Sequence, residues 1–381
     1  PSSPAHRAAQ RLRKDPVSDA APKRHVKAIG MISGGLDSTL AAALLIRQGI
    51  EVLGINFYTG FCVTEHHRRL GIPGRDGQAC RNEALRAGAD LEFEVRMVDI
   101  AEEYYDIITK PKYGYGSAAN PCIDCRMFML GKAREIMVEE GADFVFTGEV
   151  IGQRPKSQRR PIIDLIEKES GLSGRLLRPL SAKLLPMTIP EKEGLVDRER
   201  LAGIWGRTRE TQFALAKELG ITDFPQPAGG CCFLADANFA HKFFDFVGHA
   251  EGRRLTQEDA VLLGTGRHFR LSETTKLIVG RNEHENRVLK QFSTDRIFLI
   301  PAEVMGPSAL IEGPADKTLL EQAASVAARY CDRAEGEAAG KALVRFSCTR
   351  EGQEIVLSVP PAAPETLDAL RIIPPQPVLG N

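Results

Sequence analysis

The sequence predicts an α/β protein, a parallel sheet wrapped by helices, followed by a smaller α+β domain. Two observations predict it. Between residues 26 and 147 short apolar, β-branched runs alternate with helical segments, the pattern of right-handed crossovers in a sheet covered on both faces. From about residue 250 the texture changes to short strands, one helix and a hairpin. The chain is long enough for both parts. Its 381 residues, 43% hydrophobic, allow two to three domains and a core that needs no disulfide or metal to fold.

Taken in order, residues 1–24 carry six Lys or Arg (Arg7, Arg11, Arg13, Lys14, Lys23, Arg24) and no apolar block, so they read as a disordered basic tail and not as a signal peptide. Residues 26–32 (VKAIGMI) read as a strand, 38–48 as a helix stopped by Gly49, and 51–57 (EVLGINF) as a second buried strand. A His/Arg/Gly loop spans about 59–77. A helix (78–87), a strand (91–98) and a helix (100–109) follow, then a loop at 112–121. Residues 126–140 have helical periodicity and stop at Gly141. Asp143–Thr147 is the next strand. These elements make a domain over 25–180. Residues 181–245 read as a helical linker region carrying Cys232 behind a stiff Phe224–Gly230 loop. Strands at 266–271, 276–280 and 287–292, a helix at 315–333 and a hairpin over 341–359 turning near Glu351-Gly352 fill a domain over 250–359. The Pro-rich end, 360–381, reads as an extended tail.

Composition excludes several classes. Lys plus Arg and Asp plus Glu both number 50, which excludes a histone-like binder without excluding a local basic groove. No stretch approaches the roughly 18 uncharged apolar residues of a membrane span. Eight cysteines in a chain of this length without a secretory signal point to a reducing, cytoplasmic compartment. Four of them (Cys62, Cys80, Cys331, Cys348) are scattered and read as small buried hydrophobes.

The sharpest motif is Ser33-Gly34-Gly35-Leu36-Asp37-Ser38 between strand and helix. Two glycines let backbone approach a phosphate, and the helix start offers free amides and a favourable dipole. Asp37 would repel a bare anion, so it reads as a contact to a bridging Mg2+ or as a loop-orienting residue. The loop resembles the SGGxDS loop of the PP-loop ATP pyrophosphatases, which cleave ATP between its α and β phosphates and adenylate a substrate oxygen. That resemblance implies an adenine nucleotide alpha hydrolase-like, Rossmann-like first domain. It also implies ATP contacts at Ser33–Ser38, at the end of the second strand (Phe57), and at Gly148 of the Thr147-Gly148-Glu149 element.

Asn120-Pro121-Cys122-Ile123-Asp124-Cys125 resembles the NPDxxCN element of bacterial tRNA 2-thiouridylases. Cys125 matches their catalytic cysteine, while Cys122 and Arg126 depart from the pattern. Cys232, in Gly-Cys-Cys-Phe-Leu, matches the second catalytic cysteine. The resemblance implies that Cys122, Cys125 and Cys232 converge over the nucleotide. Four chemistries stay open for them: a redox CxxC pair, a structural zinc with Cys231, a persulfide relay through Cys232 and Cys125, or a 4Fe-4S cluster held by three cysteines with one open iron. The cluster is the favoured expectation, since relatives of both the 2- and 4-thiouridine enzymes include cluster-dependent thiolases.

Arg154, Lys156, Arg159 and Arg160 follow the Thr-Gly-Glu element and resemble a basic stretch of 4-thiouridine synthetases. They read as RNA phosphate contacts. Arg178-Pro179-Leu180 with Lys183 resembles a basic segment of the same enzymes. Residues 266–282 resemble an NFACT-type RNA-binding domain. This implies a phosphate face of Arg267, His268, Arg270, Lys276 and Arg281, with Phe269 read either as a stacking ring or as core.

Together these resemblances imply a tRNA sulfurtransferase. ATP would activate a uracil carbonyl oxygen and sulfur would displace AMP, giving 2- or 4-thiouridine. ATP, Mg2+ and a 4Fe-4S cluster are the expected cofactors. The expected partners are tRNA, a sulfide or persulfide donor, and a second copy of the chain. Asp124 and Glu149 are the candidate proton-transfer groups. The rival readings are another PP-loop ligase or small-molecule thiolase, and an RNA-binding protein with a vestigial loop.

Overall fold

The computed structural model describes residues 24–69, 71, 80–225, 232–332, 343–350 and 353–372. The basic tail through residue 23, Cys231 and the Glu351-Gly352 turn lie outside them. The chain forms two compact units. Among the described residues, the first comprises those within 24–65, 80–116 and 120–225, and the second those within 66–71, 117–119 and 232–372.

The first unit is built on five strands, β1 (Lys27–Met31), β2 (Glu51–Tyr58), β3 (Glu94–Asp99), β4 (Phe144–Thr147) and β5 (Leu176–Leu177). Their order is β3-β2-β1-β4-β5 and every neighbouring pair is parallel. The β-branched and aromatic residues of these runs alternate between two cores. Ala28, Val52, Phe144 and Phe146 enter one, and Ile29, Leu53 and Val145 enter the other. This is the period of a pleated sheet covered on both sides.

Helix α1 (Leu36–Ile46) fills the first core and is buried on nearly every side. Truncating a wholly buried residue such as Leu40 to Ala would cost about 2–5 kcal/mol. A short α2 (Val63–Arg69) stands where a loop was expected. α3 (Glu83–Leu91) is capped by the Asn82 side chain, and α4 (Ala101–Thr109) follows β3. α5 (Cys122–Glu139) starts four residues earlier than its periodicity predicts, so Cys122 and Cys125 lie on its first turn. α6 (Arg160–Glu169), α7 (Ile189–Lys192) and α8 (Glu210–Leu219) complete the unit.

Residues 181–245, expected as a helical linker region, divide between the two units. Leu180, Ala182, Val196, Leu201, Ile204, Ala216, Leu219 and Ile221 complete the α1 core, and the chain from Cys232 onward belongs to the second unit.

In the second unit α9 (Ala237–His249) and α10 (Gln257–Gly264) precede the strands β6 (Arg267–Arg270) and β7 (Lys276–Val279). Residues 287–292, expected to be a strand, lie mostly in α11 (Glu283–Gln291). Glu285, Val288 and Leu289 are buried and Phe292 packs beside them, an i, i+3, i+4, i+7 set that only a helix brings to one face. β8 (Ile297–Pro301) and β9 (Ala309–Glu312) follow, then α12 (Lys317–Ala328), β10 (Val344–Arg350) and β11 (Gln353–Val359). The six strands form a separate sheet, order β11-β10-β8-β9-β7-β6, antiparallel throughout. Within the end expected to be an extended tail, α13 (Pro364–Leu370) forms. Pro364 suits the first helical turn, and Leu367 is buried against the sheet core. No helix among the described residues is long and apolar enough to cross a membrane.

Candidate functional site

The strand order reverses at β1, with β2 on one side and β4 on the other. Ligands of open parallel sheets bind beyond the strand ends at such a switch point. The Ser33–Ser38 loop leaves β1 there, and Thr147-Gly148-Glu149 leaves β4. The two touch closely. A Cβ on Gly148 would lie 2.4 Å from the Ser38 nitrogen and 2.5 Å from the Asp37 carbonyl carbon. Gly34 has φ +75°, and a Cβ there would lie 2.1 Å from the Glu83 carbonyl carbon at the start of α3. Only glycine meets both conditions.

The loop is braced from several sides. Arg86 donates to the Gly34 carbonyl at 3.1 Å, and Asn56 donates to the Ile32 carbonyl at 2.7 Å. The Ser38 hydroxyl donates to the Gly35 carbonyl at 3.0 Å and lies 3.2 Å from the Ser33 hydroxyl. Ser38 is buried while Ser33 is exposed, so Ser38 acts mainly on the loop itself. Leu36 puts its side chain into the core and offers the site only its backbone. Helix α1 starts at Gly35 with no side-chain cap, which leaves its first amides available to an anion. Phe57 is the penultimate residue of β2, with its ring packed partly into the second core.

Asp37 accepts a hydrogen bond from Gln153 Nε2 at 3.0 Å, and Arg209 lies 3.7 Å from the same oxygen. Its other oxygen, Oδ1, is buried with no hydrogen-bond partner among the described residues. An orphaned carboxylate oxygen beside a phosphate loop fits a Mg2+ ion, which binds through one or two carboxylates plus phosphates and water. Gln153, Arg209, Arg86 and Asn56 were not singled out from sequence. Gln153 is 116 residues from Asp37, and no local pattern announces such a pairing.

The two candidate proton-transfer carboxylates are both engaged in internal contacts. Glu149 is buried between Arg178 (3.2 Å) and Arg126 (3.6 Å). Burial alone would raise its pKa, but the two guanidinium groups more than offset this and hold it below the ordinary carboxylate range. Arg178 is itself buried and also pairs with Glu167 at 2.8 Å, so it braces the interior and does not face RNA. Asp124 accepts the Lys112 and Tyr113 amides at 2.9 and 3.1 Å and pins that loop to α5.

That pinned loop helps form a cavity of about 280 Å³ within the first unit. Cys122, Tyr113, Tyr115, Lys156 and Arg159 line it. The starts of α5 and α6 border it, and neither helix has a side-chain cap. A Cβ on Gly116 would lie 3.3 Å from the Cys122 sulfur, so glycine keeps room beside that thiol. Cys125 lies one turn further along α5, and Cys232 opens the second unit. Among the described residues no three His, Cys, Asp or Glu side chains are grouped so as to hold a metal ion. Of the basic stretch, Arg154, Lys156 and Arg159 are exposed, and Arg160 pairs with Asp164 at 3.2 Å.

The expected phosphate face of the second unit is largely consumed by internal contacts. Lys276 is buried with its ammonium 2.7 Å from Glu312. Arg270 is paired with Asp245, and Arg281 with Glu285. The Arg267 guanidinium lies 4.5 Å from the Tyr330 ring centre and donates to the Gly280 carbonyl. His268 and Phe269 are wholly interior, which settles Phe269 as core. The reason is the short antiparallel ladder, which pairs Arg270 with Lys276 and puts His268 and Phe269 at its centre.

Comparison with known proteins follows this division. Residues 26–166 match the family model described as the tRNA methyl transferase HUP domain, and residues 266–371 match the NFACT protein RNA binding domain. A tRNA-specific 2-thiouridylase MnmA of Petrotoga mobilis is 33% identical over 134 residues, 33% of this chain and 35% of that protein. The enzyme of the same name from Methylobacterium nodulans is 24% identical over 301 residues, 73% of this chain and 72% of that one. The match to the first relative thus spans about a third of that protein's length. A solved 4-thiouridine synthetase–RNA complex with bound ATP covers 51% of this chain and 52% of that one at 19% identity. Its TM-score is 0.30, too low to carry an argument. The matches bear out both resemblances, to PP-loop tRNA thiolation enzymes and to an NFACT-type RNA-binding domain.

Proposed function

We propose that this protein is an ATP-dependent tRNA sulfurtransferase that converts a uridine to 2- or 4-thiouridine, with AMP and pyrophosphate as co-products. The observation that carries the reading is the Ser33–Ser38 loop seated against Gly148 at the sheet's switch point, with the orphaned Asp37 oxygen beside it. The uncapped amides of α1 hold the phosphates. Asp37 holds Mg2+, which draws charge from the phosphate oxygens when bound.

The uracil carbonyl oxygen attacks the α phosphate and pyrophosphate leaves. An incoming sulfur nucleophile then adds to the ring carbon, and AMP departs with the original oxygen. The cavity at Cys122 receives the uridine, taken out of its stack, with Lys156 and Arg159 on its phosphates. Positioning of this kind supplies much of the rate.

Sulfur delivery is assigned to Cys125 and Cys232. A persulfide donor passes its outer sulfur to one of these thiolates and leaves as a thiol, and the new persulfide attacks the ring carbon. The other cysteine displaces the inner sulfur to form a Cys125–Cys232 disulfide, which a thiol reductant reopens. Cys122 and Cys125 on one helical turn would suit two corners of a 4Fe-4S cluster with Cys232 as third ligand. A gathered three-ligand group is missing among the described residues, so no step is written through a cluster. Iron and sulfide reconstitution without air, followed by an absorption scan for a band near about 400 nm, tests that finer reading. The reducing cytoplasm suits thiols of this kind.

The test of the function is incubation of the protein with ATP, Mg2+, a persulfide donor, a thiol reductant and unmodified tRNA, followed by mass spectrometry of the nucleosides. A thiouridine is expected, with pyrophosphate released only when tRNA is present. No sulfur gain rejects the proposal. Full product formation by Cys232→Ser would select a different PP-loop ligase, and tRNA binding without pyrophosphate release a vestigial loop.

A further inference from the structure

Trp205 is the only tryptophan of the chain and is 68% exposed. It is nevertheless held firmly. Its backbone bridges Ile151 in parallel, and the Gly206 amide donates to the Ile151 carbonyl at 2.8 Å. Ser181 ties the two segments together, accepting from the Ile151 amide at 3.1 Å and donating to the Ile204 carbonyl at 2.7 Å. The indole rests on Gly152, where a Cβ would lie 3.0 Å from Nε1. A side chain at that position would push the ring away.

A large ring fixed in place and left in water forgoes the stabilisation that burial would give it and keeps a π face free for a partner. Both segments that hold it run directly to the phosphate loop. Gln153, one residue past Gly152, donates to Asp37, and Arg209 approaches the same carboxylate. Arg154, Lys156 and Arg207, close by in sequence, are exposed and have no carboxylate partner among the described residues. A fixed aromatic face with unneutralised cations beside it is the recognition chemistry of unpaired nucleotides, because every base has a π face and every nucleotide a phosphate.

We propose that Trp205 is a stacking platform for an unpaired RNA base next to the nucleotide being modified, with Arg154, Lys156 and Arg207 on the adjoining phosphates. This rests on the thiolation reading, for it presumes that RNA enters the first unit's site.

The experiment uses the sole tryptophan as its own reporter. Unmodified tRNA is titrated into the full chain while indole emission is followed, and affinity is measured separately by anisotropy of end-labelled tRNA. Quenching with the same midpoint as the anisotropy is expected. Trp205→Ala should weaken tRNA binding about 5- to 150-fold, the loss that accompanies removal of one base–aromatic stack. Trp205→Phe should bind within about threefold of wild type, since it keeps the π face. ATP alone should leave emission unchanged.

Unaltered emission on tRNA binding, with Trp205→Ala binding as well as wild type, overturns the platform and leaves the thiolation reading intact. Quenching by ATP alone, with ATP affinity lost in Trp205→Ala, also overturns it and assigns the ring to adenine. A wild-type protein that binds no tRNA by either readout overturns both. Equal melting temperatures of the three proteins separate any loss of binding from a loss of fold.

Discussion

The two units treat their polar groups differently. In the second, α9, α10, α11 and α12 each begin under a side-chain cap, from Asp236, Thr256, Asn282 and Asp316. Three of its basic residues are matched by carboxylates, Lys276 by Glu312, Arg270 by Asp245 and Arg281 by Glu285, while Lys242 and Arg267 donate to carbonyls. In the first, α1, α5 and α6, at the phosphate loop and the Cys122 cavity, begin without one, although α3, which starts against Gly34, is capped by Asn82. Asp37 keeps a buried oxygen without a partner, and Trp205 stands exposed. A buried carboxylate oxygen without a partner is costly, and beside a phosphate-type loop its position favours a bound cation.

The largest effect expected from breaking this contrast lies inside the first unit. Arg178→Ala leaves Glu149 and Glu167 without their main partner in a buried setting, and should cost about 3–5 kcal/mol in denaturant unfolding. An unchanged midpoint would show that the network is not structural. Gly148→Ala drives a methyl group into the Asp37–Ser38 backbone. It should lower tRNA-dependent pyrophosphate release about 10²-fold, the scale of a 1 Å misplacement of reacting groups. Wild-type release with that variant would separate the β4 end from the nucleotide site.

In the second unit, Lys242 is buried and donates only to the Leu263 and Gly266 carbonyls. Burial lowers its pKa to about 7, with Arg281 and Lys276 adding to the shift and Glu285 opposing it. The unfolded lysine stays protonated up to about pH 10.4. Between these values the unfolded chain carries a proton that the folded chain lacks, so stability should rise with pH across that window and flatten below it. Lys242→Met should remove the rise, read as melting temperatures from pH 6.5 to about 9.5.

A smaller effect sharpens the contrast in cations. Arg154→Ala should weaken tRNA binding and reduce the slope of log affinity against log salt by about 1, whereas Lys276→Met should leave that slope unchanged. The smallest expected effect concerns a single cap. Asp316→Ala should cost about 1 kcal/mol of stability and leave pyrophosphate release untouched.

The legible parts of the sequence were those with local causes. β1, the Ser33–Ser38 turn and α1 are adjacent in the chain, and their β-branched run, glycines and alanine-rich stretch act over a few residues. Cys122, Lys156 and Arg159 were named from motifs, and the fold lines all three along one cavity. What stayed hidden depends on distant pairing. Glu149 reads as a strand end in sequence, and only the fold brings Arg126 and Arg178 to it. Lys276 and Arg270 read as a basic face until the carboxylates of Glu312 and Asp245, from other elements, meet them. Val288 and Leu289 suggest a strand until the periodicity is carried back to Glu285 and forward to Phe292. Trp205 gives no local signal, because its exposure is a property of what fails to cover it.

The route of the chain between the units has a consequence for dissection. Residues 66–69, 71 and 117–119 belong to the second body although most of the first is still to come in sequence. His66 sits where a Cβ on Gly264 would touch its ring, and the Ala119 amide donates to the Leu234 carbonyl. A fragment cut at Cys232 would lose both contacts and expose the surfaces they cover. The second unit is therefore discontinuous in sequence, and moving it as a cassette from Cys232 onward should give insoluble chimaeras unless the segments around His66 and Ala119 travel with it.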